Sequence, residues 1–188
     1  LHTAYRRQRQ MCIRDRSNPT LHITDIAAVV SLAQEHHLFT IADNTFLSPF
    51  LQKPLDLGVD IVVHSATKFL AGHSDILAGA VVVNRSDLAD KIYFIQNAVG
   101  ATLGVLDTWL LLRGIKTLGV RMTHASLSAQ KIAEYLESHS KVTRVLYPGL
   151  TSHEGHAIQM RQAKSGGAVL SFDVGSDCLL YTSDAADD

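Results

Sequence analysis

Two short apolar runs each end in a polar cluster. Phe39-Thr40-Ile41-Ala42 leads into Asp43-Asn44-Thr45, and Ile61-Val62-Val63 leads into His64-Ser65-Ala66-Thr67-Lys68. Runs of this length, rich in β-branched residues and bounded by turn formers, predict buried strands over 38–43 and 59–64. Pro49, Pro54 and Gly58 lie between them, so the crossover is expected to be short or irregular. Upstream, Ile26, Val29, Val30 and Ala33 fall on one helical face; the helix is expected to be capped by Thr24, with Asp25 in its first turn and His36 and His37 at its close. Downstream, a third strand is predicted over 76–83, then a helix capped by Ser86 and running to Ala98. A long helical stretch over 106–139 is interrupted or bent where Gly114 and Gly119 lower propensity. Strand character returns over 142–147, before the Pro148-Gly149 turn, and over 168–174, after Gly166-Gly167. Alternating helix and strand through residue 98 predicts an α/β layer, and the later elements predict the start of a second, smaller lobe.

Composition narrows the classes. The chain has 188 residues, 46% hydrophobic and 19% charged, with a net charge of −1, which fits a soluble globular protein and carries no nucleic-acid footprint. Its longest apolar runs, such as 76–83, are too short to span a bilayer, and no leader pattern opens it, so the default location is cytoplasmic. Both cysteines, Cys12 and Cys178, lie near the ends, leaving Ser17 to Asp177 without one and removing any argument for a disulfide or a cysteine metal site. The ends themselves differ from the middle. Leu1 to Arg16 holds five arginines and one acid with no apolar period, and the stretch after Cys178 matches no element. A solvated arm and a polybasic tail are two readings of the start. A third is preferred: both ends resemble translated sequencing-adapter read-through, which makes 1–16 and 178–188 non-native flanks of a gene fragment.

Two parallel strands that each deliver a charged group at the carboxyl end place those groups together at the sheet edge where open α/β folds bind ligands. A lysine at the end of a buried strand suits an amine nucleophile that forms Schiff bases, because desolvation disfavours its ammonium form. Taken alone, a residue such as Lys68 is more often a partly exposed lysine just past a strand. Ser65 and Thr67 add hydroxyls able to bind a phosphate near the amine, although both are also ordinary turn residues. Asp43, alone a cap or turn residue, becomes beside such a lysine the carboxylate that holds a pyridine nitrogen protonated. Other candidates are weaker. His153 and His156 have the spacing of a metal pair on a helix but no third ligand, and His64 and His73 are possible general bases or satisfied structural histidines. Arg113 and Lys116 read as a solvated or lobe-linking face.

Ala42-Asp43-Asn44-Thr45-Phe46, Ser65-Ala66-Thr67-Lys68-Phe69 and Gly72-His73-Ser74-Asp75 resemble the pyridoxal-phosphate enzymes of cysteine and methionine trans-sulfuration. Further pieces agree in order: Ser17-Asn18-Pro19, Asp56-Leu57-Gly58-Val59-Asp60, Leu111 to Leu118, Tyr147-Pro148-Gly149-Leu150 and Gly167 to Phe172. The resemblance implies an aspartate-aminotransferase-like (fold type I) large domain over 17–138, a mostly parallel sheet with flanking helices and a linking helix. The start of a smaller C-terminal α/β domain would occupy 139–177. It implies pyridoxal 5'-phosphate carried on Lys68, which also shuttles the substrate's α-proton, with Asp43 against the ring nitrogen, Ser65 and Thr67 on the phosphate and Asn18 near the phenolic oxygen. The implied substrate is a small sulfur amino acid. The reaction most resembles that of bacterial cystathionine lyases, with cystathionine γ-synthase next and methionine γ-lyase and homoserine-ester sulfhydrylases behind. Also implied are a homotetramer built from dimers with shared sites, and a chain that covers the middle of a subunit and is inactive and poorly folded alone. The alternative from another class is a noncatalytic α/β binding module, which has no need of this residue set.

Overall fold

β2 (Phe39–Asp43) and β3 (Ile61–Ser65) lie side by side and parallel, Ile41 opposite Ile61 and Asp43 opposite Val63. The computed structural model to which they belong describes residues 10–14, as backbone, and 16–175. On the outer edge of β2 runs a parallel strand, β1 (Gln10–Arg14). On the outer edge of β3, β4 (Gly79–Val83) returns antiparallel, completing a four-stranded sheet in the order β1-β2-β3-β4. Burial alternates along β2 and β3, so Ala42 and Val62 point to the face covered by α1 (Ile26–Glu35). There they pack with Ile26, Val30 and Val59, and the period-2 strand pattern meets the 3.6-residue helix pattern. Asp25 accepts a hydrogen bond from Ala28 N, so the cap falls one residue after the Thr24 expected from sequence. An aspartate at this position satisfies an orphan amide and complements the helix dipole in one step.

The crossover from β2 to β3 is the irregular one that its prolines require: a single turn, α2 (Ser48–Leu51), and a 3-10 turn at Pro54–Leu57 that ends at Gly58 with φ +93°. After β4, α3 (Ser86–Val99) begins with Ser86 itself; Arg85 is the flanking residue and supplies no side-chain cap. The long helical stretch divides into α4 (Val105–Ile115) and α5 (Leu118–Glu137). The break falls at Lys116-Thr117, between the two glycines that lower propensity there. Gly119 continues inside α5, because the first turn of a helix tolerates what an interior penalises. Leu118 and Met122 of α5 join Leu47, Leu51, Ala66 and Leu70 in the core that underlies the carboxyl ends of β2 and β3.

A second, two-stranded sheet pairs β5 (Arg144–Leu146) with β6 (Ser171–Asp173) antiparallel, with α6 (His156–Gln162) between them. Its own small core holds Ala129 and Ala133 of α5 with Tyr147 and Leu150. The Tyr147 hydroxyl, inside this core, donates to Gly167 O at 2.8 Å. Among the described residues no helix is long and apolar enough to cross a membrane.

The sequence offers no strand pattern over 10–14, yet β1 pairs along the whole of β2. Backbone pairing to an open edge needs no side-chain alternation, which is why the pattern is silent there. Residues 1–9, 15 and 176–188, most of the stretches read as flanks, lie outside the described residues.

Candidate active site

Asp43 is the last residue of β2, and the chain turns on it. Thr45 donates to Asp43 Oδ1 twice, from its backbone N–H at 3.0 Å and from its hydroxyl at 2.5 Å. The same hydroxyl accepts from Ser65 N, at the end of β3, at 2.8 Å. Thr45 thus ties the two strand ends together and orients the carboxylate. Replacing Thr45 with valine keeps the shape but leaves the Ser65 amide without its acceptor, and is expected to cost about 1–3 kcal/mol. Urea unfolding checks this, with Thr45→Ser as the variant expected to retain the stability.

Beyond Ser65 the chain makes a helical-type turn in which Lys68 N donates to Ser65 O at 3.2 Å, Ala71 N to Ala66 O at 3.0 Å and Gly72 N to Lys68 O at 2.8 Å. Lys68 sits on the outside of that turn, exposed. Of the two readings from sequence, a desolvated lysine at a buried strand end and an exposed one just past a strand, the structure shows the second: β3 stops three residues before Lys68 and the turn carries the amine out into an open cleft. Thr67 is pinned to the start of β4: its N–H donates to Ala78 O, and its hydroxyl accepts from Ala78 N at 2.9 Å and donates to Ala78 O at 3.3 Å. Its proton is therefore shared with a long protein bond, whereas the Ser65 hydroxyl makes no hydrogen bond among the described residues.

All five residues singled out from sequence, Lys68, Asp43, Ser65, Thr67 and Asn18, line one cleft of about 1110 Å³. Asn18 reaches it from the loop before α1, and Val169 from the segment before β6, so the cleft also has a wall from the far end of the chain. Sequence reasoning did not single out Thr45, Phe46, Asp75 or Val169, which share the lining. A signal for Thr45 was present, since a hydroxyl residue two places after a strand-end aspartate is the pattern of an Asx turn.

The histidines are not in the cleft lining. His64, 6% exposed, faces the opposite side of the sheet with Asn44 and Gln52, and burial holds its pKa below the usual histidine range although the Asp43 charge and the Asn44 backbone push it up. The His73 ring pairs with Ala71 O at 2.7 Å, and neither histidine is placed to act as the general base considered from sequence. His153 and His156 do not sit together on a helix. His153 precedes α6 and accepts from Gly155 N, while His156 pairs with Pro148 O. Among the described residues no group of three metal-ligating side chains occurs.

A match to the family described as Cys/Met metabolism PLP-dependent enzyme covers residues 6–186. The chain belongs to this family. It is 57% identical over 160 residues to cystathionine beta-lyase MetC of Bacillus subtilis (strain 168), a match spanning 85% of this chain and 41% of that protein. Among solved structures it superposes on cystathionine gamma-lyase from Lactobacillus plantarum complexed with L-serine with TM-score 0.86 and 48% identity, over 88% of this chain and 44% of the other. It also superposes on cystathionine gamma synthase from Xanthomonas oryzae pv. oryzae, in complex with aminoacrylate and cysteine, with TM-score 0.90 and 42% identity, over 92% and 45%. The chain spans less than half the length of each of these relatives. The expected fold, an aspartate-aminotransferase-like fold type I arrangement, is borne out by these likenesses.

Proposed function

We propose that this chain is the central part of a cystathionine lyase that uses pyridoxal 5'-phosphate to break a carbon–sulfur bond of cystathionine, releasing a thiol amino acid, a keto acid and ammonia. The observation that carries the reading is the convergence of an exposed lysine amine, an oriented carboxylate and an open serine hydroxyl on one cleft. Those three groups fit the aldehyde, the ring nitrogen and the phosphate of the cofactor. When bound, the cofactor supplies an electron sink for the carbon that loses its proton.

The residues divide the work. Lys68 holds the cofactor through its ε-amine and moves the α-proton at Nζ. Asp43, fixed by Thr45, places a negative charge that favours a protonated ring nitrogen by about 1–3 pKa units. Ser65 donates its hydroxyl to the phosphate. Thr67 would do the same once its proton leaves the long bond to Ala78 O, and Asn18, which shares the lining, would lie near the ring oxygen. Identity to the Bacillus lyase favours cleavage, while the high likeness to the Xanthomonas synthase favours, as the second reading, the replacement that forms cystathionine.

The domain division proposed is 17–138 for the cofactor-binding part with its linking helix and 139–177 for the start of the second. The flanks 1–16 and 178–188 are proposed as foreign, to be tested by resequencing; the family match from residue 6 to residue 186 and the pairing of β1 weigh against that. A cytoplasmic homotetramer built from dimers is also proposed. Support for assembly comes from the exposed apolar side chains of α3 and α4, among them Tyr93, Phe94, Val99, Val105 and Trp109.

The experiment is to express the longer polypeptide, supply cystathionine, and identify products. Homocysteine with pyruvate and ammonia is the expected result; cysteine with 2-oxobutyrate shows cleavage on the other side of sulfur. Cystathionine made from cysteine and an activated homoserine, without cleavage, gives the synthase reading. The 188-residue chain alone is expected to release no keto acid.

A further inference from the structure

The segment Arg113-Gly114-Ile115-Lys116-Thr117-Leu118 contributes nothing to the cleft lining. Through Gly114 and Leu118 it packs instead against the turn that carries Lys68. Gly114, near the end of α4, lies against the backbone of Ala71 so closely that a β-carbon there would overlap the Ala71 carbonyl. A helix can approach a neighbouring backbone this way only where a side chain is missing.

Arg121, one turn into α5, reaches into that contact. Its Nη1 donates to Phe69 O at 2.8 Å, and its Nη2 donates to Gly114 O at 2.8 Å and Leu70 O at 3.3 Å. Its Nε donates to Thr117 Oγ1 at 3.0 Å. The acceptors are the end carbonyls of two structures, the Lys68 turn and α4. Carbonyls at the carboxyl end of a helical turn carry partial negative charge, so a cation placed there is favourable even at Gly114 O, which also accepts from the Thr117 N–H and hydroxyl. Gly72, where the turn exits with φ +73°, completes the fit, since any β-carbon there would collide with the guanidinium.

We propose that Arg121 is a positioning residue whose guanidinium fixes the Lys68 turn against the α4–α5 junction. Lys68 makes no side-chain hydrogen bond among the described residues, so its backbone decides where the amine stands. Thr67 anchors one side of that backbone to β4, and Arg121 anchors the other. Lysine is a poor substitute, because a single ammonium cannot span four acceptors in a planar fork. Sequence reasoning had placed Arg113 and Lys116 on a solvated face and passed over Arg121, which stands five residues after the nearer of them.

That Lys68 is the cofactor lysine rests on the proposed function; the clamp does not. Amide hydrogen exchange on the longer enzyme, with and without pyridoxal phosphate, tests the clamp through peptides covering 66–72. Arg121→Gln is expected to speed exchange there at least about tenfold while peptides covering β2 and β3 keep their rates. Arg121→Lys is expected to give the same local effect, and Thr117→Val a smaller one. In loaded enzyme the Arg121 variants should also shift the pH midpoint of the visible absorbance band. Wild-type rates over 66–72 in Arg121→Gln would overturn the proposal. So would a uniform loosening of all peptides in both Arg121→Gln and Thr117→Val. If wild-type protein takes up no cofactor while Arg121→Gln still loosens 66–72 alone, the functional reading fails and the clamp stands.

Discussion

Lys68→Ala in the longer enzyme is expected to abolish the visible absorbance band given by pyridoxal phosphate and to lower cystathionine cleavage by at least about 10³-fold. The size follows from two losses at one atom. Nζ is proposed both to hold the cofactor and to move the α-proton, and proton transfer by a positioned side chain alone contributes about 10²–10⁴-fold. Stability should hardly change, because Lys68 is exposed and its ammonium supports no hydrogen bond among the described residues. An unfolded variant would therefore not be the explanation for lost activity. Borohydride reduction of the wild type, followed by peptide mapping, should mark the peptide containing Lys68 and no other. A band of normal height in Lys68→Ala would end the assignment.

Asp43→Asn is expected to retain fold and cofactor but to slow turnover by about 10- to 10³-fold, the equivalent of 1–3 pKa units of ring-nitrogen preference at about 1.4 kcal/mol each. Asparagine is the informative choice because of Thr45. Its Oδ1 can still accept from the Thr45 amide and hydroxyl, so the link to Ser65 is kept and only the charge is removed. The effect should lie in kcat, since the charge acts on the reacting electrons rather than on substrate contact. A second readout needs no cofactor. Asp43 opposes the burial that depresses the His64 pKa, so removing its charge should lower that pKa further, visible in an NMR titration of His64. An unchanged turnover would mean that the carboxylate does not face the ring.

The α/β layer was legible because α1, β2 and β3 each carry their own periodicity, and Ala42 and Val62 meet Ile26 and Val30 as those periods require. Lys68, Asp43 and Ser65 were legible for a related reason, since side chains at the ends of adjacent parallel strands are brought together by topology alone. What stayed hidden depends on backbone groups. The β1 edge, the divided α4 and α5, and the reach of Arg121 to three carbonyls involve acceptors that every residue possesses, so no residue type announces them. The strand end itself was legible, expected at His64 and found at Ser65, but the desolvated reading of Lys68 treated it as part of that end, whereas the turn that begins there carries it outward. His64 misled because it alternates with Ser65 along β3 and so faces the other side of the sheet, and His73 because it lies in the loop before β4, where its ring turns to Ala71 O.

The three hydrogen bonds between Thr67 and Ala78 pinch the base of the excursion from Lys68 to Leu77. Its tip, with Ser74 and Asp75, forms part of the cleft wall. A loop closed at its base can change length or composition at its summit without transmitting the change to the strands below. Under the proposed function, substrate preference could therefore drift in this wall while the amine proposed to hold the cofactor keeps its place, a separation that would let one scaffold serve neighbouring sulfur chemistries.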